Sequence, residues 1–229
     1  MIKITLFYCL TMIDYDLLPY LEEFIMPERK SRFLEILQER TNYITVAIED
    51  VFQLHNTSAV IRSCDIFGVQ EAHVIESKYG KRLDEDIAMG AQKWVDVKRY
   101  ADTTSCIKTL KEKGYKIVAT TPHQNDCLLD DFKFDGKIAL FFGTERNGLS
   151  QEVIEEADEF LKIPMVGFTE SLNISVSAAI ILHALTKELK KSDIDWKLTE
   201  EEQYLKRVDW TKKSVRSIED VLARYYGEK

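Results

Sequence analysis

The chain has 229 residues, of which 45% are hydrophobic and 31% are charged, and its formal net charge is −8. This apolar content is enough for a packed core, and 9 glycines and 4 prolines are too few for a collagen-like or low-complexity chain. No apolar stretch approaches the roughly 20 residues of a membrane-spanning helix, so we expect no membrane association. The acidic balance argues against a general polyanion-binding protein, although it leaves room for a local basic patch.

The cysteines indicate neither a disulfide framework nor a metal centre. They stand at Cys9, Cys64, Cys106 and Cys127, without a C-x-x-C pair and without metal-ligand spacing to any histidine. We therefore expect free thiols in a reducing compartment, a cytoplasmic location and no bound metal.

In chain order, residues 13–40 have helical periodicity, and Pro19 and Pro27 are expected to split them into a short and a longer helix. From Tyr43 onwards, short β-branched segments alternate with helical ones, which predicts an α/β domain with a parallel sheet covered on both faces. After Ser192 the chain is charged and then helical again. We therefore expect helical extensions at 1–40 and 192–229 around a sheet domain at 41–191. The predicted strands are 44–48, 72–76, 94–98, 115–120, 137–142 and 160–163, and the predicted helices of the sheet domain are 57–67, 103–113, 150–157 and 174–190.

Three segments of the sheet domain contain residues suited to chemistry, and the first runs from Leu54 to Gly68. Asn56, Thr57 or Ser58 could cap its helix. Asn56 and Arg62 are expected at the edge where strands lead into helices, which is where α/β sheets bind ligands. The alternative is that Asn56 only caps the helix and Arg62 only forms a surface ion pair.

The second segment runs from Ile138 to Ser150 and carries glycines at 143 and 148, a spacing similar to that of a phosphate-binding loop. Leu149 stands where such a loop requires lysine, which excludes a nucleotide triphosphatase. The glycines could instead let the backbone approach a flat ligand closely, and Glu145 would suit a cationic partner. A plain turn with a solvated acid is the alternative.

The third segment runs from Ile163 to Ala179, where a strand ends at Pro164 and a polar loop leads into an apolar helix. Ser171, Asn173 and Ser175 are all possible N-caps of this helix. Small residues on the helix would permit close packing against another backbone. The alternative is a capped helix of the core.

Together the three segments contain N-x-x-A-x-x-R, then F-G-x-E-x-x-G-L-S, then I-P-M-x-G followed by S-L-N-x-S-x-A-A. In this order they resemble the SpoU branch of the SPOUT RNA methyltransferases. The segments starting at Glu28 and Val46, and the tail from Leu198 with Trp210 and Ser214, resemble the TrmH group of tRNA guanosine 2′-O-methyltransferases. The resemblance covers roughly residues 28–226.

This resemblance implies a parallel-sheet SPOUT domain with a deep C-terminal trefoil knot, flanked by helical extensions. It also implies that the knot region binds S-adenosylmethionine and pairs two copies into a homodimer. The cofactor contacts carried over from the family are Thr120, Gly143, Ile163, Ser171 and Leu172.

The implied reaction is methyl transfer to the ribose 2′-hydroxyl of guanosine 18 in the tRNA D-loop. Arg62 would bind the hydroxyl and the adjacent phosphate, because a guanidinium stays protonated and is a poor base. Glu145 would orient Arg62, while Asn56, Ser171 and Asn173 would fix the ribose and the loop. A ribosomal RNA 2′-O-methyltransferase and a non-catalytic RNA-binding factor remain alternatives. The expected RNA-binding residues are Arg29, Arg32, Arg62, Lys212 and Arg216.

Overall fold

The structure, a computed structural model, describes residues 13–49, 54–76, 88–121, 127–144 and 147–227. The chain divides into two units, one formed by residues 39–198 and the other by the two ends of the chain, up to residue 38 and from residue 199. We call them the sheet unit and the helical unit.

In the described part of the sheet unit, seven strands form one sheet in the order β3-β2-β1-β6-β4-β7-β5, and all paired strands run parallel. This arrangement confirms the predicted α/β class, whereas the knot stays a prediction. The strands are β1 Ile44–Glu49, β2 Glu71–Ile75, β3 Asp96–Tyr100, β4 Tyr115–Thr120, β5 Cys127–Leu128, β6 Lys137–Phe142 and β7 Glu159–Lys162. The α-helices that the structure describes in this unit are α3 Leu54–Phe67, α4 Thr103–Glu112, α5 Gln151–Glu156 and α6 Ile174–Lys191.

Alternate residues of the central strands pack against different helices, as the pleat of a sheet requires. Val46 and Ile48 face the core that holds α3 and α6. Ala47 and Phe141 face the core that holds α4 and α5. Both faces are therefore covered, which explains why β1 is buried along its whole length.

The parallel register sets the carboxyl ends of the strands along one edge of the sheet. Ile48 pairs with Phe142, and Thr120 pairs with Leu161. The residues that follow β4, β6 and β7 therefore emerge side by side, and this edge is where an open parallel sheet binds ligands.

Three local features differ from the sequence prediction. Helix α3 begins at Leu54, so Asn56, Thr57 and Ser58 lie inside the helix and the prediction that one of them caps it was wrong. A 3-10 turn at Ala91–Lys93 moves β3 two residues beyond its predicted start. The two-residue strand β5 was not predicted, because so short a segment has no detectable periodicity.

The helical unit contains α1 Leu17–Glu22, α2 Pro27–Leu37, α7 Glu200–Ser214 and α8 Ile218–Gly227. Pro19 lies in the first turn of α1, where its missing N–H costs no hydrogen bond, so the helices are divided at Pro27 instead. Trp210 is 1% exposed, and its ring packs against that of Phe33 at 5.5 Å. Helices from both ends of the chain thus share one core. None of the helices described is long and apolar enough to cross a membrane.

Candidate functional site

A cavity of about 360 Å³ opens at the carboxyl ends of β4, β6 and β7. Its walls are largely apolar, with hydroxyl and amide groups among them. The five predicted cofactor contacts all line it: Thr120, Gly143, Ile163, Ser171 and Leu172. The other lining residues are Thr121, Phe142, Thr144, Asn147, Gly148, Leu161, Met165, Ile174, Ser177 and Ile181.

Hydrogen bonds between neighbouring strand ends fix the floor of this cavity. The hydroxyl of Thr120 donates to the backbone oxygen of Phe141 at 2.7 Å. The backbone N–H of Thr121 donates to the oxygen of Leu161 at 3.0 Å. The ends of β4, β6 and β7 are therefore held together, and the cavity floor is pre-formed.

Gly143 begins the segment 143–150, which joins β6 to α5, and the described residues 143, 144, 147 and 148 form one wall. A Cβ at this position would overlap the backbones of Gly148 and Leu149. Thr144 and Gly148 exchange two backbone hydrogen bonds of 2.9 Å, and Gly148 has a φ of +66°. The absence of a side chain at Gly143 thus lets the segment fold back on itself, a reason that the sequence interpretation did not include.

The segment from Ile163 to Asn173 joins β7 to α6 without a helix or strand of its own. Val166 and Phe168 are fully exposed on it. Its last residue, Asn173, caps α6: its Oδ1 accepts bonds from the N–H of Ser175 at 2.8 Å and from the Ser175 hydroxyl at 2.6 Å. Of the three cap candidates, the structure therefore selects Asn173.

Asn56 and Asn173 meet although 117 residues separate them. The Nδ2 of Asn173 donates to the Oδ1 of Asn56 at 3.1 Å, and Asn56 is only 2% exposed. Ten residues further along α6, His183 lies against the ring of Phe67 at 5.6 Å. Helices α3 and α6 therefore run parallel, and the Asn56–Asn173 bond ties their beginnings together next to the cavity.

Arg62 lies on α3, six residues after Asn56, which is about 9 Å along a helix axis. Its side chain is exposed and is not part of the cavity lining. Within the described ranges no ion pair of Arg62 is found. Glu145, its predicted partner, lies outside the described residues, so that pairing stays a prediction.

Four of the predicted RNA-binding residues belong to the helical unit. Arg29 and Arg32 lie on α2, Lys212 lies on α7, and Arg216 follows it. Arg32 pairs with Glu35 at 3.1 Å, and both side chains are more than 60% exposed, so this pair adds little stability. Among the residues that the structure describes, no ion pair involves the other three cations.

Sequence reasoning missed several polar residues that line the cavity, among them Thr121, Asn147 and Ser177. Thr121 directly follows a predicted contact, which was a usable signal. Ser177 follows Ile174 by three residues and precedes Ile181 by four, so the three share one helical face, and the spacing could have identified it.

The described residues bring together no metal centre, and two of their three cysteine thiols are buried. No three metal-ligating side chains converge within these ranges. Burial raises the pKa of both the Cys64 and the Cys106 thiol to about 12. Neither thiol is therefore a nucleophile near neutral pH.

The chain resembles known proteins in sequence and in fold. A sequence profile of the SpoU rRNA Methylase family matches residues 43–183. The chain is 41% identical over 199 residues to a protein of Borreliella burgdorferi named tRNA (guanosine(18)-2′-O)-methyltransferase, covering 87% of this chain and 91% of that protein. It is 35% identical over 187 residues to the Thermus thermophilus protein of the same name, covering 81% and 96%.

A similar fold is known from a crystal structure of a TrmH/SpoU tRNA modifying enzyme of A. aeolicus. The TM-score is 0.74 and the sequence identity is 30%, with 83% of this chain and 98% of that chain covered. The likeness therefore extends over nearly the whole of that enzyme.

Proposed function

The chain belongs to the SpoU rRNA methylase family, and we propose that it transfers the methyl group of S-adenosylmethionine to the ribose 2′-hydroxyl of guanosine 18 in tRNA. The observation that carries this proposal is the cavity at the carboxyl edge of the sheet, lined by Thr120, Gly143, Ile163, Ser171 and Leu172. The names and high coverage of the Borreliella and Thermus relatives favour tRNA as the substrate.

The cavity residues fit S-adenosylmethionine. The cavity volume of about 360 Å³ lies in the range of small-molecule sites, which combine apolar walls with a few polar groups. Ile163 and Leu172 offer apolar surface for the faces of an adenine, and Ser171 and Asn147 offer polar groups for the polar parts. When bound, S-adenosylmethionine supplies an electrophilic methyl group.

Around this methyl group, the residues of the chain position the substrate. A ribose 2′-hydroxyl is a weak nucleophile, so orientation and polarisation account for much of the rate. Arg62 donates hydrogen bonds to the hydroxyl and the adjacent phosphate, for which its exposed position on α3 is suitable. The Asn56–Asn173 bond fixes the start of α6 and, two residues earlier, Ser171, which contacts the ribose. Glu145 orients Arg62 in this proposal.

Binding of the tRNA itself depends on phosphate contacts from Arg29, Arg32, Lys212 and Arg216. Arg29, Arg32 and Arg216 are exposed and Lys212 is half-buried, and among the described residues only Arg32 of the four forms an ion pair, which supports this role. Because the chain carries a net charge of −8, non-specific RNA binding is weak and the specific complex is sensitive to salt. With tRNA as substrate, we expect the protein in the cytoplasm.

We also infer that the knot predicted from the resemblance is present and that two copies pair through it. Val166, Phe168, Val176 and Ile180 leave apolar surface exposed on the 163–173 segment and on α6, and a second copy would cover it. Sedimentation of the full chain at micromolar concentration tests this: a monomer would contradict it.

Radiolabelled methyl transfer to an unmodified tRNA transcript tests the main proposal, with a matched transcript that carries 2′-deoxyguanosine at position 18. We expect label in the first transcript and none in the second. Equal labelling of both would mean that the methylated nucleotide is not guanosine 18. Labelling of ribosomal RNA alone would favour the ribosomal alternative, and cofactor binding without any transfer would favour a non-catalytic RNA-binding protein.

A further inference from the structure

Glu49 is a buried carboxylate at the same edge of the sheet, and it has no part in the function proposed above. It ends β1 and is only 3% exposed. One of its oxygens accepts a hydrogen bond from the Thr103 hydroxyl at 2.5 Å, and the other accepts one from the backbone N–H of Ser150 at 2.8 Å. Burying a carboxylate costs folding free energy unless its oxygens accept hydrogen bonds, and these two bonds offset that cost.

The second bond connects Glu49 to the wall of the cavity. Strand β1 lies directly beside β6, where Ile48 pairs with Phe142, so Glu49 comes next to the start of the 143–150 segment. Ser150 is the last residue of that segment and the N-cap of α5. Thr144, Asn147 and Gly148, between the two ends, line the cavity.

We propose that Glu49 is a positioning residue: by holding the N–H of Ser150, it fixes residues 147–150, of which Asn147 and Gly148 form part of one wall of the cavity. Its bond to Thr103 orients the carboxylate from the start of α4. The affinity for S-adenosylmethionine therefore depends on a residue outside the cavity lining. This inference rests on the proposed function for the identity of the ligand, but not for the anchoring of the segment.

Three variants distinguish the effect of the Ser150 bond from that of the Thr103 bond: Glu49→Ala, Glu49→Gln and Thr103→Val. Alanine removes both, glutamine can still accept from Ser150 and donate to Thr103, and valine at position 103 removes only the bond from the Thr103 hydroxyl. We expect Glu49→Ala to raise the dissociation constant and the KM for S-adenosylmethionine about tenfold, with kcat and the KM for tRNA within about threefold of wild type. The other two variants should stay within about threefold in all four quantities.

Two further variants test the donor of the bond, the N–H of Ser150, instead of its acceptor, Glu49. Ser150 has a φ of −65°, which proline can adopt, so Ser150→Pro deletes the N–H without a backbone change at that residue. Ser150→Ala keeps the N–H and loses only the cap bond to Val153, which is a weak one at 3.4 Å. We expect the proline variant to bind S-adenosylmethionine about tenfold more weakly than the alanine variant. This pair decides the matter if Glu49→Ala fails to fold.

Hydrogen–deuterium exchange of residues 147–151 gives a readout that does not depend on the ligand. Faster exchange in Glu49→Ala, with weaker cofactor binding, supports the proposal. Unchanged exchange and affinity, or equal effects of Glu49→Ala and Thr103→Val, would overturn it. If the wild-type protein binds no S-adenosylmethionine but exchange still rises in Glu49→Ala, the proposed function fails while the anchoring of the segment stands.

Discussion

The polar side chains near the cavity of the sheet unit and the predicted RNA-binding arginines of the helical unit are held in opposite ways. Near the cavity of the sheet unit, Glu49, Asn56 and Thr120 are bonded to groups on other elements, and the first two are almost fully buried. In the helical unit, Arg29 and Arg216 are exposed. Fixed groups suit a small ligand that must be held in one geometry, whereas exposed flexible cations suit a long polyanion whose phosphates they only need to approach.

Arg62 breaks this pattern, because it belongs to the sheet unit and is nevertheless exposed. If it acts on the RNA and not on the cofactor, Arg62→Ala should lower kcat by roughly a thousandfold, since a donor to the reacting group is lost. The dissociation constant for S-adenosylmethionine should stay within about twofold. Single-turnover kinetics and calorimetry measure the two quantities.

Arg62→Lys is the control for this change, because it keeps the charge and loses the planar fork of donors. Its rate should fall between those of the wild type and of alanine. A drop of less than tenfold in Arg62→Ala would remove this residue from the chemistry and leave it as a surface cation like those of the helical unit.

The rigidity of the cavity can be tested at Gly143. A methyl group there would overlap the backbones of Gly148 and Leu149, so Gly143→Ala should displace the wall and weaken S-adenosylmethionine binding by roughly a hundredfold. Gly167→Ala is the matched control on the other segment of the cavity edge, where a Cβ would meet only the Thr169 nitrogen, at 3.9 Å. Isothermal calorimetry should find the control unchanged. Equal affinities in the two variants would mean that the wall adapts.

The two units can also be compared at one ion pair each, that of Glu71 in the sheet unit and that of Glu35 in the helical unit. The Glu71 carboxylate in β2 lies 3.1 Å from Nε2 of the buried His73 and accepts a hydrogen bond from Lys113 at 2.7 Å. Burial alone would raise the pKa of Glu71, but the nearby His73 and the bond from Lys113 outweigh it and hold the pKa at about 2, below the ordinary value of 4.5. Because the folded-state pKa is the lower one, this pair stabilises the fold at neutral pH.

That stabilisation should be lost as the pH falls from about 4.5 towards about 2, since the unfolded chain then binds a proton that the folded chain resists. Glu71→Gln should therefore lower the free energy of unfolding by about 2 kcal/mol at pH 7 and by progressively less below pH 4.5. Urea titrations across this range measure the change. Glu35→Gln, which breaks the exposed Arg32 pair of the helical unit, should have no measurable effect at any pH. A flat difference for Glu71→Gln would contradict the assignment.

Much of the sheet and the cavity could be predicted from the sequence because their signals are local. Short apolar strands between helices predicted the class of the sheet. The resemblance to a known family supplied the five expected cofactor contacts, and all five line the cavity. Contacts between distant segments could not be predicted. Ser171, Asn173 and Ser175 are equally good caps by residue type, and the choice of Asn173 involves a bond to Asn56, 117 residues away.

The same limit applies to the helical unit and to Gly143. Periodicity predicted helices at both ends of the chain, but nothing in it encodes that Phe33 packs on Trp210 and joins those ends in one core. For Gly143, the sequence does not show which atoms a side chain at this position would meet. In the folded structure these are backbone atoms of Gly148, and their closeness explains why position 143 requires glycine.

The smallest expected effects belong to the exposed cations of the helical unit. Arg29→Ala and Arg216→Ala should each weaken tRNA binding a few-fold at moderate salt, because each removes one phosphate contact of several. The slope of log affinity against log salt should fall by about one per contact removed, and the double variant should be additive. S-adenosylmethionine binding should be unchanged. Lys213→Ala is the control, because Lys213 already pairs with Asp209 at 2.7 Å and should leave the slope unaltered. If instead both arginine variants change cofactor affinity but not the salt slope, the assignment of RNA binding to the helical unit is wrong. The helical unit would then affect cofactor binding and not RNA binding.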